Sequence, residues 1–343
     1  MKNKQALTIC LLAAGFSACQ PKHKKAPAAV AANAVKPVVV TAQTQYDSDD
    51  PAIWINKTDS SKSLIVGTDK NTDGALYVYD LDGKIVKKIG GLKRPNNVDI
   101  AYGLMLNGAP VDIAVVTERE TNKLRIYRLP DMTSIDNGGI DVFSGEEERG
   151  PMGISLYTRP SDNAIFAIVS RKSGPANGYL WQYLLTGNEQ GIVTGTVVRK
   201  FGAYSGKKEI ESVAVDNELG YVYYSDEQTG VRKYYADPLK GNAELALFGQ
   251  GDFKADNEGI SIYKTSDSAG YILVSDQDAN SFNVYKREDA KPVLLKRIPV
   301  TAVNSDGSDV VNVNLGPKYP KGLFVVMSTD KTFHYYDVRD IFD

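Results

Sequence analysis

The run DSDD at residues 47–50 sets three carboxylates directly ahead of the apolar stretch 51–55. Like charges that close repel one another, and each prefers water to a protein interior. Such a run is either a solvated turn or a place where positive charge is meant to sit. Related polar entrances recur downstream as NNVD, IESV, ADNEG and SDGSD. The residues at these points are Asp50, Asn97, Met152, Glu211, Glu258 and Asp306. A second set follows a recurring Ser or Thr by two positions: Lys70, Arg119, Lys172, Glu227, Gln277 and Asp330. Of these twelve positions only Met152 is neither charged nor an amide. The cations Lys70, Arg119 and Lys172 are consecutive, and the acids and amide follow. That segregation suits a polyanion gripped by basic side chains and bridged by bound metal.

The ligand types available decide which metal. The chain has two histidines, His23 and His334, and two cysteines, Cys10 and Cys19. Zinc, copper and iron sites built on imidazole or thiolate are therefore excluded from the folded part. Carboxylates with Asn, Gln and carbonyl oxygens on irregular loops favour Ca²⁺ over strictly octahedral Mg²⁺. The same scarcity excludes His- and Cys-nucleophile phosphatases and Ser-His-Asp hydrolases, and His334 within TFHYYD reads as a strand residue. No Walker loop or dinucleotide fingerprint occurs. Metal-activated water is the remaining nucleophile, with Lys and Arg stabilising charge in the transition state.

Positioning so many side chains at one place requires a repeated scaffold. Short runs rich in Val, Ile and Tyr alternate with turn residues from 37 onward. LIVGTDK, IAVVTERE, FAIVSRKS, VYYSDEQ, ILVSDQD and FVVMSTDK carry Thr68, Thr117, Ser170, Ser225, Ser275 and Ser328 at matching places. Six copies at intervals of about fifty residues indicate an all-β, six-bladed β-propeller of four-stranded antiparallel blades. Blade one takes 51–56, 64–69, 76–81 and 84–90, and the next blade starts near Val98. The sixth blade runs out of chain after HYYDV, so 38–41 is expected to supply its fourth strand and close the ring. In a propeller the start of a blade's first strand and the end of its second share one face. Both sets of polar residues then ring the same mouth.

With 343 residues and a formal charge of −2, the chain has no bulk field to recruit nucleic acid or an anionic membrane. Residues 1–19 read as a lipoprotein signal, two lysines before a short apolar segment ending FSAC, with Cys19 the lipidated residue. Residues 20–36 read as a flexible tether, and 37–343 as the propeller domain. The expectation is an exported, monomeric envelope lipoprotein of a bacterium, in the periplasm or at the outer membrane, joined to membrane by its lipid alone.

DSDDPAIW, NNVDIAYG, KEIESVAVD, SDEQ, DNEGISIY, SDQDANSF and LGPKYPKGLFV together resemble the β-propeller phytases, from about Asp47 to about Met327. The resemblance implies a calcium-dependent enzyme that removes phosphate from myo-inositol hexakisphosphate, using several Ca²⁺ ions and water activated by bound calcium. An adjacent site would hold a neighbouring phosphate. It assigns phosphate binding and catalysis to Lys70, Arg119 and Lys172, and calcium or catalytic roles to Asp49, Asp50, Glu211, Glu227, Asp256 and Glu258. Gln277 matches a substrate-binding position, and Asp306 an acidic calcium position. Met152 stands where some members have Tyr and Asn71 where some have a second Lys; Arg149 in EEERG reads first as a solvated loop residue, with compensation for the lost phosphate donor the lesser reading. Two other readings stay open: another calcium-dependent propeller hydrolase such as a lactonase, and a non-catalytic lipoprotein that captures phosphorylated ligands or partners.

Overall fold

A computed structural model describes residues 29–342, which form six antiparallel sheets in a ring. The calls on residues 1–28, Cys10, Cys19 and His23 among them, lie outside these described residues. Blade one comprises Ser48–Trp54, Leu64–Asp69, Gly74–Tyr79 and Ile85–Leu92 in spatial order. Later blades repeat this meander, starting from Pro95–Leu106, Pro151–Thr158, Val213–Asp216, Asn257–Lys264 and Ser308–Val311. The six-bladed propeller is thus the fold. Its apolar side chains form six clusters, one between each pair of neighbouring blades. Strands with both faces buried this way read as continuous apolar runs, which is why Val, Ile and Tyr dominate them.

Ring closure follows the expected route. Val39 and Val40 pair with Tyr335 and His334 on the third strand of blade six, Thr332–Asp337. Val38 and Thr41 add bonds to Tyr335 and Phe333 carbonyls. Upstream, Val35 already bonds blade five, donating to the Pro299 carbonyl and accepting from Thr301.

The recurring Ser and Thr act as staples. Thr68, Thr117, Ser170, Ser225 and Ser275 donate their hydroxyls to carbonyls of Asn96, Met152, Ile210, Glu258 and Ser305 at the entrance of the next blade. Blade six reverses the bond: Ser48 donates to the Ser328 carbonyl. Three hydroxyls also accept an amide of their own blade's first strand, from Asp50, Asn97 and Gly153.

Those amides are free because the first strands bulge there. Register shifts fall at Ser48/Pro51, Pro95/Val98, Pro151/Ile154 and Asn257/Ile260. An extra residue in a bulge re-aims its neighbours' side chains. Asp50, Asn97, Met152 and Glu258 therefore lie inside their strands, and blade one's first strand begins at Ser48, three residues before its expected start at 51. Glu211 and Asp306 alone precede theirs.

Candidate functional site

Each residue of the second set is tied to the loop entering its own blade. The amides of Lys70, Arg119, Lys172, Glu227 and Gln277 donate to the carbonyls of Asp47, Arg94, Gly150, Glu209 and Asp256. One backbone bond per blade thus aims five side chains into one mouth. Asp330 is the exception: it is exposed, accepts from the Thr332 hydroxyl at 2.5 Å and lies 3.8 Å from His334. Close backbone approach keeps the mouth narrow. A Cβ on Gly153 would fall 2.1 Å from the Glu211 carbonyl, and one on Gly259 2.6 Å from that of Asp306.

The blade one to three sector holds the cations around buried acids. The Lys70 ammonium contacts Asp49 and lies 3.5 Å from both Glu211 and Asp306. Arg119 lies 3.8 Å from Glu211 and bonds Asn96 and the sulfur of Met152. Asn96 in turn donates to Glu211. Lys172 is half exposed and paired with Glu209. Burial pushes the Glu211 carboxyl up, but Lys70 and Arg119 outweigh it and hold it below its ordinary value. Asp49 is pushed well up by burial, against the pull of Lys70. Arg119 is lowered, chiefly by burial.

The blade four to six sector is acidic. Glu209, Glu211 and Glu227 offer oxygens within 4.8 Å of one another, as do Glu227, Asp256 and Glu258. Glu227 belongs to both groups. Burial drives its carboxyl up to about 8, and drives Glu258 well up, with Glu227 and Asp306 adding to the latter. Both acids are thus strained in the ionised form, which a nearby cation relieves. Asp49 Oδ2, Glu227 Oε1 and Glu258 Oε2 are buried with no hydrogen-bond partner. Gln277 donates to Asp306, and Gln228 to Asp256 at 3.0 Å. All-oxygen ligands, unpartnered buried oxygens and repelling carboxylates fit a hard divalent cation.

Asp50 faces elsewhere. Consecutive strand residues point to opposite faces, and its carboxylate accepts the Val98 amide at 2.9 Å. It lines a cavity of about 300 Å³ along the ring's axis, together with Asp99, Asp309 and Tyr102. Burial raises Asp99 to about 6 and Asp309 to about 7. Arg149 bonds the Val142 carbonyl at 2.9 Å and lies 3.8 Å from Asp141, so it belongs to its loop. Asn71 caps its own turn by accepting the Asp73 amide. His334 sits in a strand, its ring 3.3 Å from the Tyr336 hydroxyl.

Sequence reasoning missed Asn96, Lys208 and Glu209. For Glu209 a signal was present: it stands two residues before Glu211, just as Asp256 stands two before Glu258. Asn96 and Lys208 carry no such signal, because a strand bulge turns the first inward and a loop the second.

The sequence profile of the phytase family matches residues 3–337. A curated relative, the 3-phytase of Bacillus subtilis strain 168, is 33% identical over 311 residues, covering 83% of this chain and 78% of its own.

Proposed function

The chain belongs to the phytase family, and from that premise we propose that it is a calcium-dependent phosphatase of myo-inositol hexakisphosphate. Membership and the 3-phytase relative make it a phosphoric monoester hydrolase. The observation that carries the finer reading is the meeting of Lys70 and Arg119 on Glu211, beside two acid groups that share Glu227.

Glu209, Glu211, Glu227, Asp256 and Glu258 would hold Ca²⁺, with Asp49 and Asp306 adding oxygens beside Lys70. Bound calcium supplies neutralisation of substrate charge and a lowered pKa for water at the site. The protein's own groups do the rest. Lys70 and Arg119, set by staples and bulges, direct fixed positive charge at phosphoryl oxygens as charge moves onto them. Glu211 stays ionised between them and keeps both aimed. Lys172, with a half-exposed ammonium, holds a neighbouring phosphate, so substrates with adjacent phosphates are favoured over simple monoesters. Gln277 positions Asp306. Met152 gives Arg119 a sulfur contact where a hydroxyl would have offered phosphate a donor. The enzyme is proposed to work as a monomer at the cell envelope, tethered through Cys19, a reading that rests on residues 1–19 alone.

Phosphate release by the full chain from phytate and from p-nitrophenyl phosphate tests this, with EDTA, Ca²⁺ or Mg²⁺ present. Release from phytate that EDTA abolishes and Ca²⁺ restores is expected. Release indifferent to chelation would overturn the calcium reading, and phytate binding without release would leave a capture protein.

A further inference from the structure

The cation nearest the second acid group belongs to the chain itself. The Lys208 ammonium lies 2.6 Å from Glu227, 2.6 Å from Asp256 and 3.4 Å from Glu258. These are the three residues whose oxygens approach within 4.8 Å of one another. Oxygens that close enclose room for one cation, since calcium sits 2.3–2.6 Å from its ligands. A divalent ion and an ammonium cannot share that volume, because like charges at such separations repel strongly.

The rest of Lys208 suits a side chain that can leave. Its carbonyl is held by the Tyr204 hydroxyl, and Tyr204 packs on Tyr179 with centroids 4.3 Å apart. The backbone is therefore pinned, while the side chain is 34% exposed and has a path to solvent. Lys70, by contrast, is 12% exposed and enclosed by Asp49 of its own blade and by Glu211 and Asp306 of two others. One ammonium also leaves work undone: three carboxylates face one charge, and Glu227 Oε1 and Glu258 Oε2 keep no partner.

We propose that Lys208 is a built-in competitor for the divalent cation at Glu227, Asp256 and Glu258, and so sets the calcium concentration at which that site fills. The inference rests on the reading of this cluster as a calcium site. A site available only when its occupant has swung out shows an apparent dissociation constant raised by the fraction of time it is free. With Lys208 out for about a tenth of the time, the constant rises about tenfold.

Calcium titrated calorimetrically into the full chain, stripped by chelation, tests this without reference to activity. Lys208→Met should bind the weakest calcium about tenfold more tightly, and its stripped form should melt at lower temperature. Lys208→Gln repeats the measurement should the Met variant not fold. Lys207→Met makes the same change of net charge from a side chain that bonds the Gln228 carbonyl instead, and should leave the affinity within about twofold. Unchanged or weaker binding in both Lys208 variants overturns the inference, as does an equal gain in Lys207→Met. If the wild type binds no calcium and Lys208→Met does, the inference stands and the calcium enzyme falls. If neither binds, both fall.

Discussion

Lys172→Met separates a role in phosphate binding from a role in folding. The side chain is 52% exposed, and its one ion pair among the described residues is with Glu209. An exposed pair of this kind contributes about 0–1 kcal/mol, so the thermal midpoint should drop by no more than about 3 °C. A charge-assisted bond from the ammonium to a phosphate is worth about 1.5–3 kcal/mol. At about 1.4 kcal/mol per decade, its loss lowers kcat/KM for phytate roughly 10- to 150-fold. Because Lys172 is assigned to the neighbouring phosphate, most of that loss should appear in KM. p-Nitrophenyl phosphate, with one phosphate, should be hydrolysed almost as before. The assay is phosphate release from both substrates beside a melting curve. A loss under threefold on phytate, or an equal loss on both substrates, would refute the assignment. Lys70 offers no such separation. Its ammonium faces Asp49, Glu211 and Asp306, and removing one partner of a buried ion cluster costs about 3–5 kcal/mol of stability.

Two further outcomes follow from the scaffold. Asp309 has a folded pKa of about 7 against an ordinary 3.8, the largest cause being burial. The folded chain thus binds this proton more tightly than the unfolded one, and the benefit present below pH 4 is lost as pH rises towards 7, at most about 4 kcal/mol and less where cavity water screens the charge. Denaturant unfolding at pH 5 and pH 8 should show the wild type losing more stability than Asp309→Asn between the two; parallel losses would contradict this. Thr117→Val keeps shape but strands the Met152 carbonyl and the Asn97 amide, so urea unfolding should report a loss of about 3 kcal/mol, and a loss under 1 kcal/mol would deny the staple.

The architecture was legible because one residue per blade has a fixed job. A short hydroxyl that bridges two blades calls for Ser or Thr, so Thr68, Thr117, Ser170, Ser225 and Ser275 mark the period whatever surrounds them, and Ser328 keeps the place while its hydroxyl accepts the Val303 amide. The five inward positions two residues later were legible for the same reason, being tied to that mark by backbone. What resisted reading depended on bulges and loops. The shift at Ser48/Pro51 sends Asp49 to the mouth and Asp50 to the axial cavity, although the two look alike in DSDD. Asp330 keeps the spacing but turns outward, since in its blade the amide that bonds the entrance carbonyl, that of Val303, belongs to Thr329, one residue earlier. Lys208 could not be told from Lys207 until its loop was placed.

The clasp between Val39–Val40 and the last blade also has a mechanical side. Load arriving from residues upstream would be borne first by the Val35 bridge and then by this two-residue strand, peeled one bond at a time. Shortening the chain past Thr41 would bare the outer edge of Thr332–Asp337, an unpaired β edge that invites a second copy to stack there. The few residues ahead of the first acid run thus guard a whole toroid against unzipping and against self-association.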